Sequence, residues 1–543
     1  MKLKWPIFSL LLIALLAPYS LTAQDEDALT SADMPWWNDR VFYEIFVRSF
    51  QDSDGDGIGD IQGMIDRLDY LNDGDPATTD DLGITGIWLM PVNGSPSYHG
   101  YDVTDFYSIN PDYGTMEDFR EFMAEAEARG IVVITDLVVN HTSELHPWFV
   151  ASAAGEAPYE DFYIWADENP GYLGNERQVV WHPTPDEDRY FYGTFARELP
   201  DLNLTDPAVT AELQEVARFW LEDVGVHGFR LDAIQHLIED GEEQVNTPAT
   251  RDWLVDFHDY LESVAPDVLT IGEVWTSSFT SSRYVDESVD MVFEFELAEE
   301  MLGAAFGRRA SDFMGRQDQI LEFYPPGQMA VFLTNHDQDR VISQLLDDPT
   351  RARMAASLLL THPGVPFIYY GEEIAMAGEG SHPAVRTPMH WDDSPTAGFT
   401  SADEPWAALT EGVEQANVAA QTNDPDSMLS HYRDLIHLRN AEPALRRGLL
   451  AQIEADTSRV YPILRYTEDE ILLVLINLSD DPQENVLLTY DGVATALPQD
   501  MTPEVIYGDL DIAAPEINDA GGFTDYMPAA TLPPLSTTVI RLR

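Results

Sequence analysis

Short apolar runs recur along the chain from residue 41 onward, and most are unbroken rather than alternating. They occupy residues 41–47, 86–92, 131–139, 228–233, 268–275, 291–295, 329–337 and 366–373. An unbroken run is what a strand covered on both faces needs, and amphipathic helical segments lie between the runs. The pattern predicts an α/β fold, a (β/α)8 TIM barrel built from residues 36–140 and 206–448. A doubly wound open sheet is the alternative, but no G-x-G-x-x-G sequence supports it.

Two stretches depart from this rhythm. Residues 141–205, after the third strand, are rich in aromatic residues, Pro and Gly, and are too long for a plain βα loop. We expect them to form an inserted domain. After a helix at 427–440 the helical pattern stops and short strands follow each other, which predicts a C-terminal antiparallel β-sandwich domain over residues 449–543.

The first residues have the pattern of an export signal. Lys2 and Lys4 precede a short apolar run, and Ala23 is a suitable last residue for a signal peptide covering residues 1–23. A retained membrane anchor is the alternative, although the run is short for a bilayer. The absence of cysteine excludes a lipid-anchored lipoprotein and a disulfide framework. We expect a secreted protein, extracellular or periplasmic, with no stable membrane insertion after signal cleavage.

The charge balance is strongly acidic. Against 29 Lys and Arg stand 96 Asp and Glu, for a net charge of −67. Such a surface repels nucleic acid and anionic membranes, so no nucleic-acid partner is expected and a neutral substrate suits it better than an anionic one. The general explanation for the charge is solubility in high salt, where screening relieves self-repulsion.

Acidic residues follow the predicted strands. Asp136 and His141 come at the end of the third strand, Asp232 at the end of the fourth, Glu273 at the fifth and Asp337 at the seventh. Carboxyl ends of barrel strands meet at one face, so these groups would converge on one pocket. One carboxylic acid and one carboxylate are what cleavage of an acetal requires. Any one of these residues alone would more often be a helix cap or an ordinary buried residue.

Arg230 changes that balance, because it precedes Asp232 by two residues. Residues i and i+2 of a strand point to the same face. The guanidinium can therefore hold the Asp232 carboxylate charged and oriented, as a nucleophile requires.

Four segments in this order, "DLVVNH", "GFRLDAIQH", "GEVW" and "TNHD", resemble the signature regions of the α-amylase family of glycoside hydrolases. "GITGIWLMPV", "LPDLN" and "GVPFIYYGEE" resemble its accessory regions. The resemblance covers nearly everything after the signal peptide, and it implies the barrel, an inserted domain B and a C-terminal β domain. It also places the chain near the intermediate subfamily between oligo-1,6-glucosidases and neopullulanases.

By motif position, the resemblance implies Asp232 as nucleophile, Glu273 as general acid/base and Asp337 as the residue that stabilises the transition state. Neighbouring like charges would raise the pKa of Glu273 and keep it protonated near neutral pH. The substrate contacts implied are His99, Tyr101, His141, Arg230, Gln235, His236, Trp275 and His336, with Tyr101 stacked on the sugar.

"QDSDGDGIGD" (51–60) alternates Asp with Gly in the manner of a loop around a hard cation. The twelfth position of an EF-hand loop would be Glu but is Gly63, so this is not an EF-hand. It resembles the calcium loop after the first strand in the oligo-1,6-glucosidase branch, whose ligands would be Asp52, Asp54, Asp56, Asp60 and the Ile58 carbonyl. By resemblance this Ca2+ is structural; an acidic solvated turn is the alternative. A second Ca2+ would use Asn140, Asp201 and the His236 carbonyl.

The signals for substrate disagree. "RTPMHWDDSPTAGFT" resembles branches that act on short substrates, whereas "YHGY", "GEVW" and the export signal resemble α-amylases that meet starch outside the cell. Gln235 stands where many α-amylases have lysine. We expect a retaining α-amylase acting on α-1,4 bonds of starch, maltodextrin or maltooligosaccharides. The alternatives are an exo-acting α-glucosidase or oligo-1,6-glucosidase, or a trehalose synthase-like transglycosylase. A catalytically inactive glycan-binding homologue is disfavoured, because the three carboxylates are all present.

Overall fold

A computed structural model describes residues 34–185, 189–285 and 287–543. The predicted signal peptide, residues 1–23, lies outside the described residues. Eight parallel strands close into a barrel in chain order, with β8 paired to β1, which confirms the predicted fold. The strands are β1 (Phe42–Ile45), β2 (Gly86–Leu89), β3 (Val132–Leu137), β4 (Gly228–Leu231), β5 (Leu269–Gly272), β6 (Met291–Phe293), β7 (Met329–Val331) and β8 (Val365–Tyr369).

Several strands are shorter than the apolar runs that predicted them. The run 329–337 forms strand only to Val331, so Asp337 lies on the loop beyond β7. The pairing of β7 with β6 and β8 covers only its first residues, and the chain then leaves the sheet. Asp232, Glu273 and Asp337 therefore lie just beyond the ends of their strands, whereas Asp136 lies on β3 and Arg230 on β4.

Seven longer helices surround the barrel or join it to the C-terminal part. They are α1 (Met116–Ala128), α2 (Pro207–Arg218), α3 (Pro248–Val264), α4 (Phe295–Gly307), α5 (Ser311–Leu321), α6 (Pro349–Thr361) and α7 (Met428–Ala441). A π-helical turn, Phe219–Val224, continues α2. Helix α1 begins with a capping box, because Thr115 and Asp118 exchange side chain–backbone hydrogen bonds. Shorter helical turns are Trp36–Asp39, Val47–Phe50, Ile61–Asp66, Leu68–Leu71, Pro147–Ala153, Ile234–His236, Ser278–Ser281, Val341–Gln344, Glu372–Ile374, His382–Val385, Val418–Gln421 and Pro443–Arg446.

The barrel interior is filled by large aromatic side chains. The rings of Phe42 and Phe367 stack with centroids 4.6 Å apart, and Trp88 and Phe293 pack beside them. This packing is dense, so the interior is a core rather than a channel. Polar groups that project inward can meet only above these rings, at the carboxyl-terminal face.

A small subdomain separates β3 from β4. It contains the helix Pro147–Ala153 and a three-stranded sheet, Trp165–Ala166, Tyr190–Tyr192 and Trp181–Pro183. An isolated bridge between His141 and Asp201 joins the two ends of this segment. A short hairpin of Asn93–Gly94 with Asp105–Ile109 follows β2.

The last part of the chain forms antiparallel sheets, as predicted. The main sheet has five strands, β9 (Leu449–Gln452), β10 (Val460–Tyr466), β11 (Ile471–Asn477), β12 (Pro503–Tyr507) and β13 (Ser536–Leu542), in the order β9-β10-β11-β13-β12. The smaller sheets are Glu454–Ala455 with Leu488–Tyr490 and Phe523–Tyr526, and Gln483–Glu484 with Thr531–Leu532. Side chains of the five-stranded sheet and of the three-stranded sheet share one apolar core. Within the five-stranded sheet, β13 pairs with β11 on one side and with β12 on the other.

Two fully buried arginines join this region to the barrel. Arg439 on α7 and Arg465 on β10 are each 0 % exposed. Their guanidinium nitrogens donate to the carbonyls of residues 360–362 and 364, around the carboxyl end of α6, at 2.6–3.0 Å. Arg465 also donates to the Gly448 carbonyl at 2.8 Å. Across the described part of the chain, neither arginine has an acidic side chain within ion-pair distance.

Within residues 34–185, 189–285 and 287–543, no helix has the length and apolar character needed to cross a bilayer.

Candidate active site

Arg230, on β4 and 1 % exposed, is the centre of a cluster of carboxylates at the carboxyl-terminal face. Its Nη1 lies 2.7 Å from Asp232 Oδ1 and 2.6 Å from Asp136 Oδ1, and its Nη2 lies 2.7 Å from Glu273 Oε2. These acids follow or lie on three neighbouring strands, β3, β4 and β5. The contact expected from the two-residue spacing of Arg230 and Asp232 is present, and one guanidinium also reaches two further acids.

The backbone after Asp232 helps to place Glu273. Ala233 adopts a left-handed conformation with φ of 48°, and its N–H donates to Glu273 Oε2 at 3.2 Å. A left-handed conformation is uncommon for a residue with a Cβ and typically marks a constrained position. The turn therefore directs one backbone donor at the Glu273 carboxyl.

The protonation of Glu273 is set mainly by its surroundings. Burial raises the pKa of Glu273 to about 7, Asp232 and Asp337 add to the rise, and Arg230 opposes it. We had attributed the rise to neighbouring like charges, but burial is the larger cause. A carboxyl with a pKa near 7 can hold a proton at neutral pH and release it readily.

Asp337 has the opposite environment. Arg386 Nη2 lies 2.6 Å from Asp337 Oδ1, and His336 Nε2 lies 3.2 Å from Asp337 Oδ2. Burial would raise the pKa of Asp337, but His336 and Arg386 hold it well below its ordinary value. Two carboxyl groups of one pocket therefore differ in protonation: the surroundings favour the protonated form of Glu273 and the charged form of Asp337.

His336 and Tyr101 lie between these acids. The Tyr101 hydroxyl is 2.7 Å from His336 Nε2 and donates to Asp136 Oδ2 at 3.2 Å. His336 Nδ1 is 2.5 Å from Oε1 of Glu44 on β1. The rings of Tyr101 and His336 are stacked at an interplanar angle of 17°.

Sequence reasoning missed several groups of this site. It gave Asp136 no role, and it did not select Glu44 or Arg386, which are both buried. Arg386 lies in the segment "RTPMHWDD", which we had used only to compare subfamilies. The sequence signal for Glu44 is a charged residue in the middle of the otherwise apolar first predicted strand, 41–47.

The predicted histidines occupy three positions around the pocket. His99 Nδ1 accepts from the Tyr101 N–H at 3.1 Å, and His141 Nδ1 is 3.3 Å from the Asn140 side chain. His141 Nε2 is buried without a hydrogen-bond partner in the described part of the chain. His236 Nε2 is 3.1 Å from the Gln235 amide nitrogen, so these two side chains contact each other.

A recess of about 360 Å³ opens beside the carboxylates. Trp275, 50 % exposed, forms one wall and stacks on Phe295, with ring centroids 4.7 Å apart. Phe195 from the inserted segment packs its ring against His141 and His236. The other lining side chains are mostly uncharged, Asn175, Gln178, Thr194, Gln235, Gln244, Val245, Asn246 and Thr276, with Glu176 and His236. In a chain of net charge −67 this is a neutral, aromatic and amide-rich surface.

The acidic loop predicted to hold Ca2+ brings three carboxylates together. Oxygens of Asp52, Asp54 and Asp60 lie within 4.8 Å of one another. Asp56 is outside this group, and its Oδ1 accepts from the Ile58 N–H at 2.8 Å. None of the three has a Lys or Arg within ion-pair distance among residues 34–185, 189–285 and 287–543. Converging hard oxygens without a balancing cation fit Ca2+.

Two of the residues expected for a second Ca2+, Asn140 and Asp201, lie together. Asp201 accepts from the Thr194 N–H at 3.1 Å and is hydrogen-bonded to Asn140. Burial raises the pKa of Asp201 to about 7, and burial together with Asp201 raises the pKa of Glu239 to about 8. Asp201 Oδ2 and Glu239 Oε1 have no hydrogen-bond partner in the described part of the chain. A buried carboxyl group, Asp201, and a half-buried one, Glu239, both without a balancing charge, fit a cation, and sequence reasoning had not selected Glu239.

Comparison with known proteins agrees with this geometry. The family described as "Alpha amylase, catalytic domain" matches residues 44–448. The chain is 38 % identical to "Alpha-amylase 3" of Dictyoglomus thermophilum, covering 82 % of this chain and 86 % of that protein. It is 33 % identical to an oligo-1,6-glucosidase of Parageobacillus thermoglucosidasius, covering 82 % and 91 %.

The crystal structure of an α-amylase from H. orenii superposes with a TM-score of 0.79 at 40 % identity, covering 93 % of this chain and 99 % of that one. The matched region contains the barrel and the carboxylate cluster described above. The chain belongs to the α-amylase family and is a glycoside hydrolase of that family.

Proposed function

We propose that the protein is an α-amylase that hydrolyses α-1,4-glucosidic bonds of starch and maltodextrins with retention of configuration. The observation that carries this proposal is the bridging of Asp232 and Glu273 by Arg230, at 2.7 Å from each. A group shared in this way keeps two carboxyls of different protonation close together. Retaining enzymes need such a pair at about 5–5.5 Å.

In the proposed mechanism, Asp232 attacks the anomeric carbon while Glu273 protonates the departing glycosidic oxygen. The bond between C1 and that oxygen breaks, and a covalent bond forms between C1 and the Asp232 carboxylate. Glu273 then takes a proton from water, which attacks C1 and releases Asp232. The charged Asp337, held by Arg386, binds sugar hydroxyls and favours the distorted transition state.

The implied substrate contacts surround this pair. Tyr101 offers an aromatic face to the sugar, and the unpartnered His141 Nε2 is available for a sugar hydroxyl. Trp275, Gln235 and His236 border the neutral recess, where a leaving-group sugar would lie. An uncharged aromatic and amide surface suits a neutral glucan.

A second candidate is an exo-acting α-glucosidase, an oligo-1,6-glucosidase or a trehalose synthase-like transglycosylase on short substrates. Gln235 supports it, because its amide is bonded to His236 and presents no positive charge to a longer leaving group. The 33 % identity to a protein named oligo-1,6-glucosidase supports it as well.

Chromatography of products over time, with soluble starch and with maltose as separate substrates, tests these alternatives. The proposal expects early mixed maltooligosaccharides from starch and little action on maltose. Rapid glucose or trehalose from maltose, with starch hardly changed, would assign the protein to the short-substrate candidate.

We also propose structural Ca2+ at two places. The first would be held by Asp52, Asp54 and Asp60, with Asp56 and the Ile58 carbonyl completing the loop in the bound form. The second would be held by Asn140, Asp201, the His236 carbonyl and Glu239. Bound Ca2+ would supply no step of the reaction; it would neutralise carboxylates that otherwise repel each other.

We propose that the protein is exported, on the basis of the signal-like residues 1–23 and of the proposed substrate. Starch granules and long dextrins do not enter cells, so an enzyme that degrades them must meet them outside. Amino-terminal sequencing of protein recovered from the medium is expected to begin at Gln24. Cell-bound protein that begins at Met1 would contradict export by signal cleavage.

A further inference from the structure

Glu44 is a buried carboxylate that the mechanism above does not use. It lies on β1, is 2 % exposed, and its Oε1 is 2.5 Å from His336 Nδ1. In the described part of the chain no Lys or Arg lies within ion-pair distance of Glu44, and His336 is its charged partner. A buried carboxylate is costly unless it is paired, so this contact is a specific arrangement.

A continuous path of contacts leads from Glu44 to the reacting groups. His336 Nε2 is 2.7 Å from the Tyr101 hydroxyl and 3.2 Å from Asp337 Oδ2. The Tyr101 hydroxyl in turn donates to Asp136, which is bonded to Arg230. Glu44 therefore lies at the outer end of a chain of hydrogen bonds whose inner end holds Asp232 and Glu273.

The proton on His336 decides the direction of these bonds. The Tyr101 hydroxyl has one proton, and both Asp136 Oδ2, at 3.2 Å, and His336 Nε2, at 2.7 Å, lie within reach of it. When the hydroxyl donates to Asp136, it can only accept from His336 Nε2. A doubly protonated imidazole donates from both nitrogens, to Glu44 on one side and to Tyr101 or Asp337 on the other. A neutral imidazole with its proton on Nδ1 would instead present a lone pair to the Asp337 carboxylate.

The electrostatic surroundings favour the doubly protonated form. Burial lowers the pKa of His336, but Asp337 and Glu44 raise it to about 9. The other ionisable groups near His336 are Tyr101 from the loop after β2, Asp136 from β3, Glu273 after β5, His382 beyond β8 and Arg386, whose Nε donates to the His336 carbonyl at 2.9 Å. The Trp88 ring packs against it from β2.

We propose that Glu44 is a positioning residue that keeps His336 doubly protonated, so that Nε2–H donates to the Tyr101 hydroxyl while the imidazolium charge holds the Asp337 carboxylate in place. Glu44 touches no substrate and acts only through His336. This inference rests on the proposed glycosidase function, and it adds a requirement at a residue some distance from the bond that is cleaved.

The test compares Glu44→Gln with the wild-type enzyme on α-maltosyl fluoride. Fluoride leaves without protonation, so the titration of Glu273 does not enter kcat/KM for this substrate. We expect kcat/KM of Glu44→Gln to be about tenfold lower at pH 7.5, where loss of the Glu44 charge is expected to leave His336 with a single proton. At pH 5.5, where His336 regains its proton, the variant is expected to recover to within about threefold.

The matched control is Glu373→Gln. Glu373 is also fully buried and accepts hydrogen bonds from Tyr43 and Tyr70 at 2.8 and 2.7 Å, but it does not face His336. Its activity relative to wild type is expected to be independent of pH. The same pH-dependent loss in Glu373→Gln, or a pH-independent loss in Glu44→Gln, would overturn the proposal.

Nitrogen-15 NMR of the histidine side chains gives a readout that does not depend on activity or on the variant. His336, assigned by the signal missing in His336→Gln, is expected to show both nitrogens protonated at pH 7.5 in wild type. A neutral His336 at that pH would overturn the proposal even if Glu44→Gln failed to fold. Wild-type protein inactive on maltosyl fluoride, with His336 charged, would instead contradict the proposed function alone.

Discussion

Buried arginines occur at two places in this molecule, with opposite surroundings. Arg230 lies among three carboxylates at the carboxyl-terminal face of the barrel. Arg439 and Arg465 lie against backbone carbonyls at the junction with the C-terminal sheets, without an acidic neighbour in the described ranges. All three are 0–1 % exposed, so burial alone does not distinguish them.

The difference lies in what compensates the charge. The acids around Arg230 raise its pKa well above the ordinary value although burial opposes them, whereas burial lowers the pKa of Arg439 and Arg465. Carboxylates can gain or lose protons during a reaction, but peptide carbonyls at the end of a helix cannot. The first arrangement suits chemistry and the second suits a permanent joint.

The largest effect should come from removing the proposed nucleophile, Asp232, in the first arrangement. We expect Asp232→Asn to lose hydrolysis by about 10⁴-fold or more, because the amide cannot attack the anomeric carbon. Its melting temperature should stay near that of wild type, since the amide oxygen still accepts from Arg230. Reducing-sugar release from starch and a thermal melt measure both. Turnover near the wild-type level would refute the assignment of Asp232.

The second arrangement should respond in the opposite way, in stability rather than in activity. Arg465→Met would leave two buried carbonyls without donors, which costs about 3 kcal/mol at one to three for each group. Denaturant titration measures the loss, while kcat at 25 °C should change less than about twofold. Arg543→Met, at an arginine whose side chain is 62 % exposed, is the matched control and should cost under about 0.5 kcal/mol. Equal losses in the two variants would remove the distinction.

The pH dependence of activity should come from the carboxylates around Arg230 and not from the buried arginines at the junction. Because the acid form of Glu273 is needed and burial raises its pKa to about 7, kcat/KM on maltooligosaccharides should fall above pH 7. The fall of kcat/KM should approach tenfold for each pH unit. Arg465→Met should show the same fall above pH 7. Wild type assayed on maltosyl fluoride, whose leaving group needs no proton, should not show this fall above pH 7. A fall above pH 7 that persists on maltosyl fluoride belongs to another group.

The smallest expected effect concerns the acidic loop. Removing bound Ca2+ with a chelator should lower stability by about 1–3 kcal/mol, because an ion that binds only the folded state stabilises it by mass action. Thermal melts with and without chelator measure this. Asp54→Asn and Asp201→Asn separate the two proposed sites, since each variant should lose only its own share of the shift. Melting unchanged by chelator would argue for a plain acidic turn.

The sequence was sufficient for the barrel, the C-terminal sheets and the carboxylates that follow the strands. Unbroken apolar runs identify strands buried on both faces, and polar residues after them fall at the carboxyl-terminal face whatever the loop details. The Arg230–Asp232 contact was also accessible, because its two residues are separated by a single position on one strand.

Contacts across the barrel were not accessible. Glu44 and His336 are 292 positions apart, and Arg386 and Asp337 are 49 apart. No local periodicity links such pairs, and a buried Glu in a strand looks the same whether its partner is a histidine or a tyrosine. The like charges that raise the pKa of Glu273 were accessible from the sequence, but burial, the larger cause, was not, since it is a property of the assembled site.

The position of β13 has a consequence for how the chain is made. Residues 536–542 form an inner strand of the five-stranded sheet, between β11 and β12, so the sheet stays open along two edges until they arrive. Arg465, which bonds the sheet to the barrel, lies on β10 of the same sheet. Until β13 is in place, this contact is therefore carried by an incomplete sheet. Loss of β13 would therefore deprive both β11 and β12 of a partner strand, and it would weaken the sheet whose β10 carries Arg465 to the barrel.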